Sequence, residues 1–332
     1  MAGNHETGTT AGAAGLHVVV GATGATGGAL VRELVLRGRR VRAVSRGGDA
    51  TVPAEVERLA ADVATTEGAK AAAAGAAVVY HCAQPPYTNW PAAFPPLTET
   101  IAEGAAAAGA KLVLADNLYL YGPHDGPLTE DLPAAATGPK GRTRAEMAGR
   151  LLAMHRQGRL RVALGRASNY YGPGGLASVA GERLFRAAVA GRTVRWVGPL
   201  DQPHTLSYLE DVAAGLATLG EDDRADGQAW HLPAAEPLTG RQFLELVVAA
   251  SGGRSRIATS PAAMVRLAGL FVPTIREVGE VLYQYQAPFV VDWSKFGQVF
   301  GPVTPTAHAE AVARTLAWFR GDRPLHRSSS KI

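Results

Sequence analysis

The residues best placed to do chemistry are three glycines. The segment Leu16-His-Val-Val-Val-Gly21-Ala-Thr-Gly24-Ala-Thr-Gly27-Gly28 sets Gly21, Gly24 and Gly27 three apart, between a β-branched run and a helical pattern. A tight strand-to-helix turn needs a residue that tolerates positive φ. A pyrophosphate needs the backbone close with no Cβ in its way, and the helix must lie near the strand. The helix N-terminus then turns free N–H groups toward the anion. With Thr23, Ala25 and Thr26 in the same turn, the segment reads as a cradle for a dinucleotide. Which one is decided after the second strand, where NAD enzymes place an acid on the ribose hydroxyls. Here the chain reads Val44-Ser45-Arg46-Gly47-Gly48, with no acid before Asp49. A hydroxyl followed by a guanidinium suits a 2′-phosphate, because Arg bonds phosphate with charge assistance and stacks on adenine. NADP(H) is therefore favoured, with NAD(H) open.

The elements that must position these residues follow a βαβ rhythm. Strand-length apolar runs occur at Leu16–Val20, Val41–Val44, Val56–Ala60, Ala77–Cys82, Lys111–Ala115 and Leu160–Leu164. Helical patterns occupy Gly27–Arg37, Thr66–Ala74, Thr98–Ala108 and Arg142–Gln157 between them. This alternation predicts an α/β fold, a doubly wound parallel Rossmann sheet. After Gly172 the rhythm weakens, with helices expected at Val179–Ala190, Leu209–Leu219 and Gly240–Ala250 and a strand at Val194–Val197. The expected organisation is a flexible tail over 1–15, a dinucleotide-binding domain over 16–172, a smaller, mainly substrate-binding domain over 173–320, and a tail over 321–332. A segment near 201–220 is expected to return to the first domain.

Composition narrows the function classes. The 332 residues are 47% hydrophobic and 19% charged, which excludes a disordered chain. The single cysteine cannot form an internal disulfide, which fits a cytoplasmic protein. A net charge of +4 is too small for a nucleic-acid binder. Arg142, Arg144, Arg150, Arg156, Arg159 and Arg161 carry no interleaved aromatics and read as a solvated helix face. No uncharged apolar run reaches the length of a membrane span, and the opening residues lack a signal-peptide pattern. The histidines show no metal-ligand spacing, so no metal site is expected.

Several further motifs give the chain a family. Ala61-Asp62-Val63 follows the third strand, and Tyr80-His81-Cys82-Ala83 ends the fourth. Tyr121-Gly122-Pro123, Ser168-Asn169-Tyr170-Tyr171-Gly172-Pro173-Gly174 and Trp318-Phe319 come later. With the glycine pattern, these resemble the extended short-chain dehydrogenases/reductases, the superfamily of NAD(P)-dependent epimerases and dehydratases, over about residues 16 to 320. The resemblance implies that Asp62 and Val63 flank adenine, and that Cys82, Ala83 and Gln84 pass beneath the cofactor ribose. It also implies that Ala167, Ser168 and Asn169 approach the nicotinamide or the substrate, and that the α-helix at Arg142–Gln157 pairs with its copy in a homodimer. As a nucleophile Cys82 competes with the reading of an inert buried thiol, which is favoured.

The family's chemistry rests on a Tyr-x-x-x-Lys pair and a Ser or Thr after the fifth strand. Here the corresponding segment is Pro139-Lys140-Gly141-Arg142-Thr143-Arg144, placing Lys140 at the tyrosine and Arg144 at the lysine, and Asn117 falls at the Ser/Thr position. Candidate catalytic residues are therefore Asn117 to orient a carbonyl, Tyr119 or Lys140 as proton donor, and Arg144 as a permanent cation on the ribose, with Asp116 a base or a turn cap.

Three functions follow. The first is an NADP(H)-dependent oxidoreductase that reduces a carbonyl or conjugated double bond of a small, fairly apolar molecule. Its cleft would be lined by Pro85, Pro86, Tyr87, Trp90, Tyr170 and Tyr171, with Met264, Leu270, Phe271, Tyr283 and Tyr285 in a lid. The alternatives are a nucleotide-sugar epimerase or dehydratase with tightly held NAD(P), and a non-catalytic cofactor-sensing or interaction protein.

Overall fold

The computed structural model describes residues 15–48, 50–261, 263, 264, 267, 270, 271 and 273–322. Asp49 and nearly all of both expected tails lie outside them.

Six strands begin within one residue of the apolar runs: β1 (Leu16–Val20), β2 (Arg40–Ser45), β3 (Glu57–Ala60), β4 (Ala76–His81), β5 (Lys111–Asn117) and β6 (Arg161–Ala167). A seventh strand, Gln228–His231, pairs with β6 and was not expected, because Gln-Ala-Trp-His is short and carries no β-branched residue. All seven are parallel, in the order Gln228–His231, β6, β5, β4, β1, β2, β3. The chain runs outward from β1 to β3 and then crosses back to β4, so the order reverses between β1 and β4. At such a switch point the carboxyl ends of adjacent strands open a crevice. Val20 stands beside Val44 and His81, and Asn117 beside Ala167, so the loops after β1, β2, β4, β5 and β6 leave from one edge.

Helices cover both faces. On one, α1 (Ala25–Leu36) buries Leu30, Val31 and Leu34 and packs against the helix Leu209–Glu221, the segment expected to return to this domain. On the other lie α2 (Thr66–Ala73), α3 (Trp90–Ala107) and α4 (Pro139–Arg156), whose Ile101, Met147 and Leu151 meet Val18, Leu112 and Val162 of the sheet. Each such side chain contributes about 1.5–3 kcal/mol by leaving water. The helix α3 starts eight residues before the expected Thr98 and runs through Pro95 and Pro96. Burial of Trp90 and Phe94 offsets the backbone bonds those prolines cannot make.

The remaining chain packs around a second core that includes Tyr171, Phe185, Trp196, Phe243 and Leu316. Its short strands Val194–Val197 and Ile257–Ser260 pair in parallel, and Ser207–Tyr208 pairs with Tyr170–Tyr171 directly after β6.

Candidate active site

At the switch point the three glycines have different tasks. Gly21 ends β1 at φ +85°, and a Cβ there would lie 2.6 Å from the Ala83 nitrogen. A Cβ on Gly27 would lie 2.2 Å from the Gly21 carbonyl oxygen, so this glycine lets α1 pack on the turn and does not itself line the groove. Gly24 is different, because its missing Cβ meets only the Gly21 oxygen, at 3.3 Å, and the residue borders open space. No side chain caps α1 and its first turn holds no acid, leaving its positive end to an outside anion.

That open space is a groove of about 580 Å³. Thr23 and Gly24 line it after β1, Ala25 and Thr26 in the first turn of α1, and Ser45 and Arg46 after β2. Asp62 and Val63 line it after β3, and Cys82, Ala83 and Gln84 after β4. Arg46 is exposed and makes no ion pair among the described residues. Asp62 Oδ1 accepts the Ala64 N–H at 3.1 Å, fixing its turn. Burial pushes the Cys82 thiol up to about 12, so it stays protonated. The glycine cradle, the uncapped helix and the exposed Arg46 fit a dinucleotide.

Thr26, Gln84, Pro85, Tyr170 and Ala177 also border a second cavity of about 370 Å³, so groove and cavity form one cleft. Asn117, Tyr119, Arg144, Ala167, Ser168 and Asn169 all line this cavity. Asn117 Oδ1 accepts the Tyr119 N–H at 3.1 Å, which fixes the turn carrying Tyr119. The Tyr119 ring lies 6.0 Å from that of Trp90, and its hydroxyl shares a hydrogen bond with the Tyr87 hydroxyl. Burial raises the Tyr119 pKa, while the Tyr87 bond and the Arg144 charge pull it back. Burial also drives Tyr87 far above the ordinary phenol range.

Arg144 is sealed from water with its guanidinium over the rings of Trp90 and Phe94, at 4.5 and 4.4 Å. Its Nη1 reaches Asp116 Oδ1 at 3.3 Å, and Arg166 Nε reaches the other carboxylate oxygen at 3.3 Å. Asp116 is thus the shared counter-ion of two buried arginines rather than a free base. Arg166 also donates to the Tyr121 oxygen at 2.7 Å. Because His231 Nδ1 must donate to the Asp292 carbonyl, its Nε2 accepts from Tyr121 at 2.8 Å.

Asn169 is fixed by similar logic. Burial holds His204 near 4, hence neutral, and it bonds the Gln284 backbone carbonyl through one nitrogen. Its Nε2 therefore accepts from Asn169 Nδ2 at 3.0 Å, and the same amide nitrogen donates to Gln284 Oε1 at 2.9 Å. These two bonds fix the Asn169 amide at the cavity wall.

Lys140 is the sequence candidate that the structure keeps apart. Its side chain is fully buried outside the cavity lining, with Nζ paired to Glu277, 3.5 Å from Glu280 and 4.6 Å above the Tyr87 ring. Of the expected lid, Tyr285 lines the cavity, but Met264, Leu270 and Phe271 are 61%, 73% and 83% exposed and Tyr283 lies beside the lining. The far wall comes instead from Val278, Val281, Gln284 and Phe289. Those four, with Arg166 and His204, carry no spacing signal that sequence reasoning can use. Among the described residues no cluster of His, Cys, Asp or Glu suits a metal, and no helix is long and apolar enough to cross a membrane.

A family model described as the NAD dependent epimerase/dehydratase family matches residues 17–232, which hold the whole groove and most of the cavity. The chain belongs to this family. No curated protein sequence matches it significantly. Solved structures of similar fold include DesIV, a dTDP-glucose 4,6-dehydratase from Streptomyces venezuelae with NAD and TYD bound. It has TM-score 0.73, 18% identity, and coverage of 93% of this chain and 98% of that one. The epimerase Mth375 from Methanothermobacter thermautotrophicus has TM-score 0.78 and 16% identity, with 93% of each chain covered. The UDP-glucuronic acid 4-epimerase from Bacillus cereus, in complex with NAD, has TM-score 0.75 and 16% identity, covering 92% and 96%. In this chain the helix α4 contains no tyrosine.

Proposed function

We propose that the chain is a dinucleotide-dependent enzyme that oxidises a hydroxyl-bearing carbon, or reduces the matching carbonyl, of a substrate held in the aromatic cavity. The observation that carries this reading is the Tyr119 phenol, which lines the cavity together with Asn117 and Arg144 and lies within electrostatic reach of Arg144 and of Tyr170, a residue that borders both groove and cavity. When bound, the nicotinamide supplies or takes up the hydride. The uncapped start of α1 and Gly24 hold the pyrophosphate, and Arg46 favours a 2′-phosphate, hence NADP(H). Tyr119 donates its proton to the substrate oxygen as the carbon gains hydride, or receives it in the reverse direction. Arg144, a permanent cation, steadies the phenolate left behind, while Trp90 and Phe94 keep water from it.

Family membership, together with neighbours named as a nucleotide-sugar dehydratase and epimerase, supports a cycle in which the cofactor takes hydride and returns it. The cavity lining supports a second reading, net reduction of a small apolar carbonyl. Tyr87, Trp90, Val179, Val278, Val281 and Phe289 are apolar walls, and the cavity's arginine is already paired with Asp116 rather than free for a diphosphate.

The test is to incubate the purified protein with NAD(P)(H) and, separately, nucleotide sugars and apolar ketones or enones. Product chromatography and the near-ultraviolet absorbance of the reduced nicotinamide are then followed. A nucleotide sugar converted without net cofactor change supports the first reading. Stoichiometric cofactor oxidation by an apolar carbonyl replaces it with the second. Tight cofactor binding without any turnover would leave the chain a sensing or interaction protein.

A further inference from the structure

Lys140 takes no part in the proton transfer described above, yet its surroundings are built in detail. The helix α4 begins at Pro139 with no side-chain cap and no acid in its first turn. Glu280, from the opposite side of the cavity, supplies what is missing, because its Oε1 accepts the Lys140 backbone N–H at 2.7 Å. A carboxylate there satisfies an orphan donor and complements the helix dipole. Gly138 is its seat, since a Cβ at that position would fall 2.3 Å from the same oxygen. One helical turn earlier, Glu277 takes the Lys140 ammonium. Between and beyond the two acids, Val278, Val281, Gln284 and Tyr285 form the cavity's far wall. The ammonium also lies over the ring of Tyr87, the phenol hydrogen-bonded to Tyr119.

We propose that Lys140 is a positioning residue, a clasp that holds the cavity wall 276–285 against the N-terminus of α4 and so fixes the substrate space facing Tyr119. This rests on the reading that the cavity holds the substrate. One cation faces two carboxylates that are each about four-fifths buried. Removing the cation leaves two like charges pressed together, which is far more disruptive than making the whole set neutral.

The test compares hydrogen exchange of residues 276–285 in the parent, Lys140→Met, Lys140→Arg and the triple variant Lys140→Met/Glu277→Gln/Glu280→Gln. In Lys140→Met, exchange there should quicken by about tenfold or more while β5 stays protected. The triple variant should return toward the parent, because a glutamine oxygen still accepts the N–H of residue 140 and no like charges remain. Lys140→Arg should also stay closed. On any substrate found, Lys140→Met should raise KM more than it lowers kcat. Unchanged exchange in Lys140→Met, or a kcat loss that the triple variant does not repair, would overturn the clasp, the latter in favour of a direct catalytic role. The exchange readout needs no substrate. Faster exchange in a protein that turns nothing over would support the clasp and count only against the functional reading.

Discussion

The groove and the cavity meet at Thr26 and Gln84 but are built in opposite ways. Most of the groove comes from residues 20–97, chiefly in loops that follow consecutive strands, and its phosphate end is bordered by Gly24 and the uncapped start of α1. The cavity draws on residues from Thr26 to Phe289, and its chemistry lies in side chains that only tertiary packing brings together. A site made of backbone demands glycine at fixed spacing and so leaves a signature in the chain. A site made of side chains leaves only residue types, whose meeting no local pattern announces.

The sharpest way to break this contrast is to exchange glycines within the groove. Gly24→Val should abolish cofactor binding in calorimetry while thermal unfolding changes little, since the new Cβ enters the ligand's space. Gly27→Val should instead destabilise the protein by about 1–3 kcal/mol or more, because its Cβ meets a backbone oxygen that cannot move aside. If the two variants behave alike, the separate tasks assigned to these glycines are wrong.

In the cavity the largest effect should come from the phenol. Tyr119→Phe removes the proton donor but leaves the groove intact, so turnover should drop by about 10²- to 10⁴-fold with cofactor affinity unchanged. Equal turnover by parent and variant would move the proton to another group or to water.

The smallest effect tests the groove's outer end. Arg46→Asp sets a carboxylate where the 2′-phosphate is expected and should weaken NADPH binding by about tenfold to hundredfold, with NADH nearly unaffected. Equal dissociation constants for the two cofactors in the parent protein would remove the basis for an NADP(H) preference.

The fold was legible where one physical demand dominates. Strands buried on both faces are largely apolar, as in β1, β4, β5 and β6, and all six strands start within a residue of the expected runs, although β3 at the sheet edge is mixed and mostly exposed. Gln228–His231 escaped because four mixed residues at a sheet edge carry no such run. In α4 the inward face includes Lys140, Thr143 and Arg144, polar residues whose burial depends on Glu277, Glu280, Asp116, Trp90 and Phe94 elsewhere in the chain. The resemblance therefore aligned Lys140 and Arg144 with one family pair, and α4 begins three residues before the expected Arg142 to hold both, while their partners send one to the wall and the other to the cavity. Of the expected lid, Tyr285 reaches the cavity wall, whereas Met264, Leu270 and Phe271 are exposed, and apolar residue type alone does not separate the two cases.

Groove and cavity form one active site, joined at Thr26, Gln84, Pro85, Tyr170 and Ala177, with Tyr119 on the cavity side. The most direct measurement is a crystal structure with NADP⁺ bound. The pyrophosphate should rest on Gly24 and the first turn of α1, and the nicotinamide should lie at Thr26, Gln84, Pro85 and Tyr170 with its open face toward Tyr119. A nicotinamide lodged away from that junction, or one whose face is turned from Tyr119, would contradict the account.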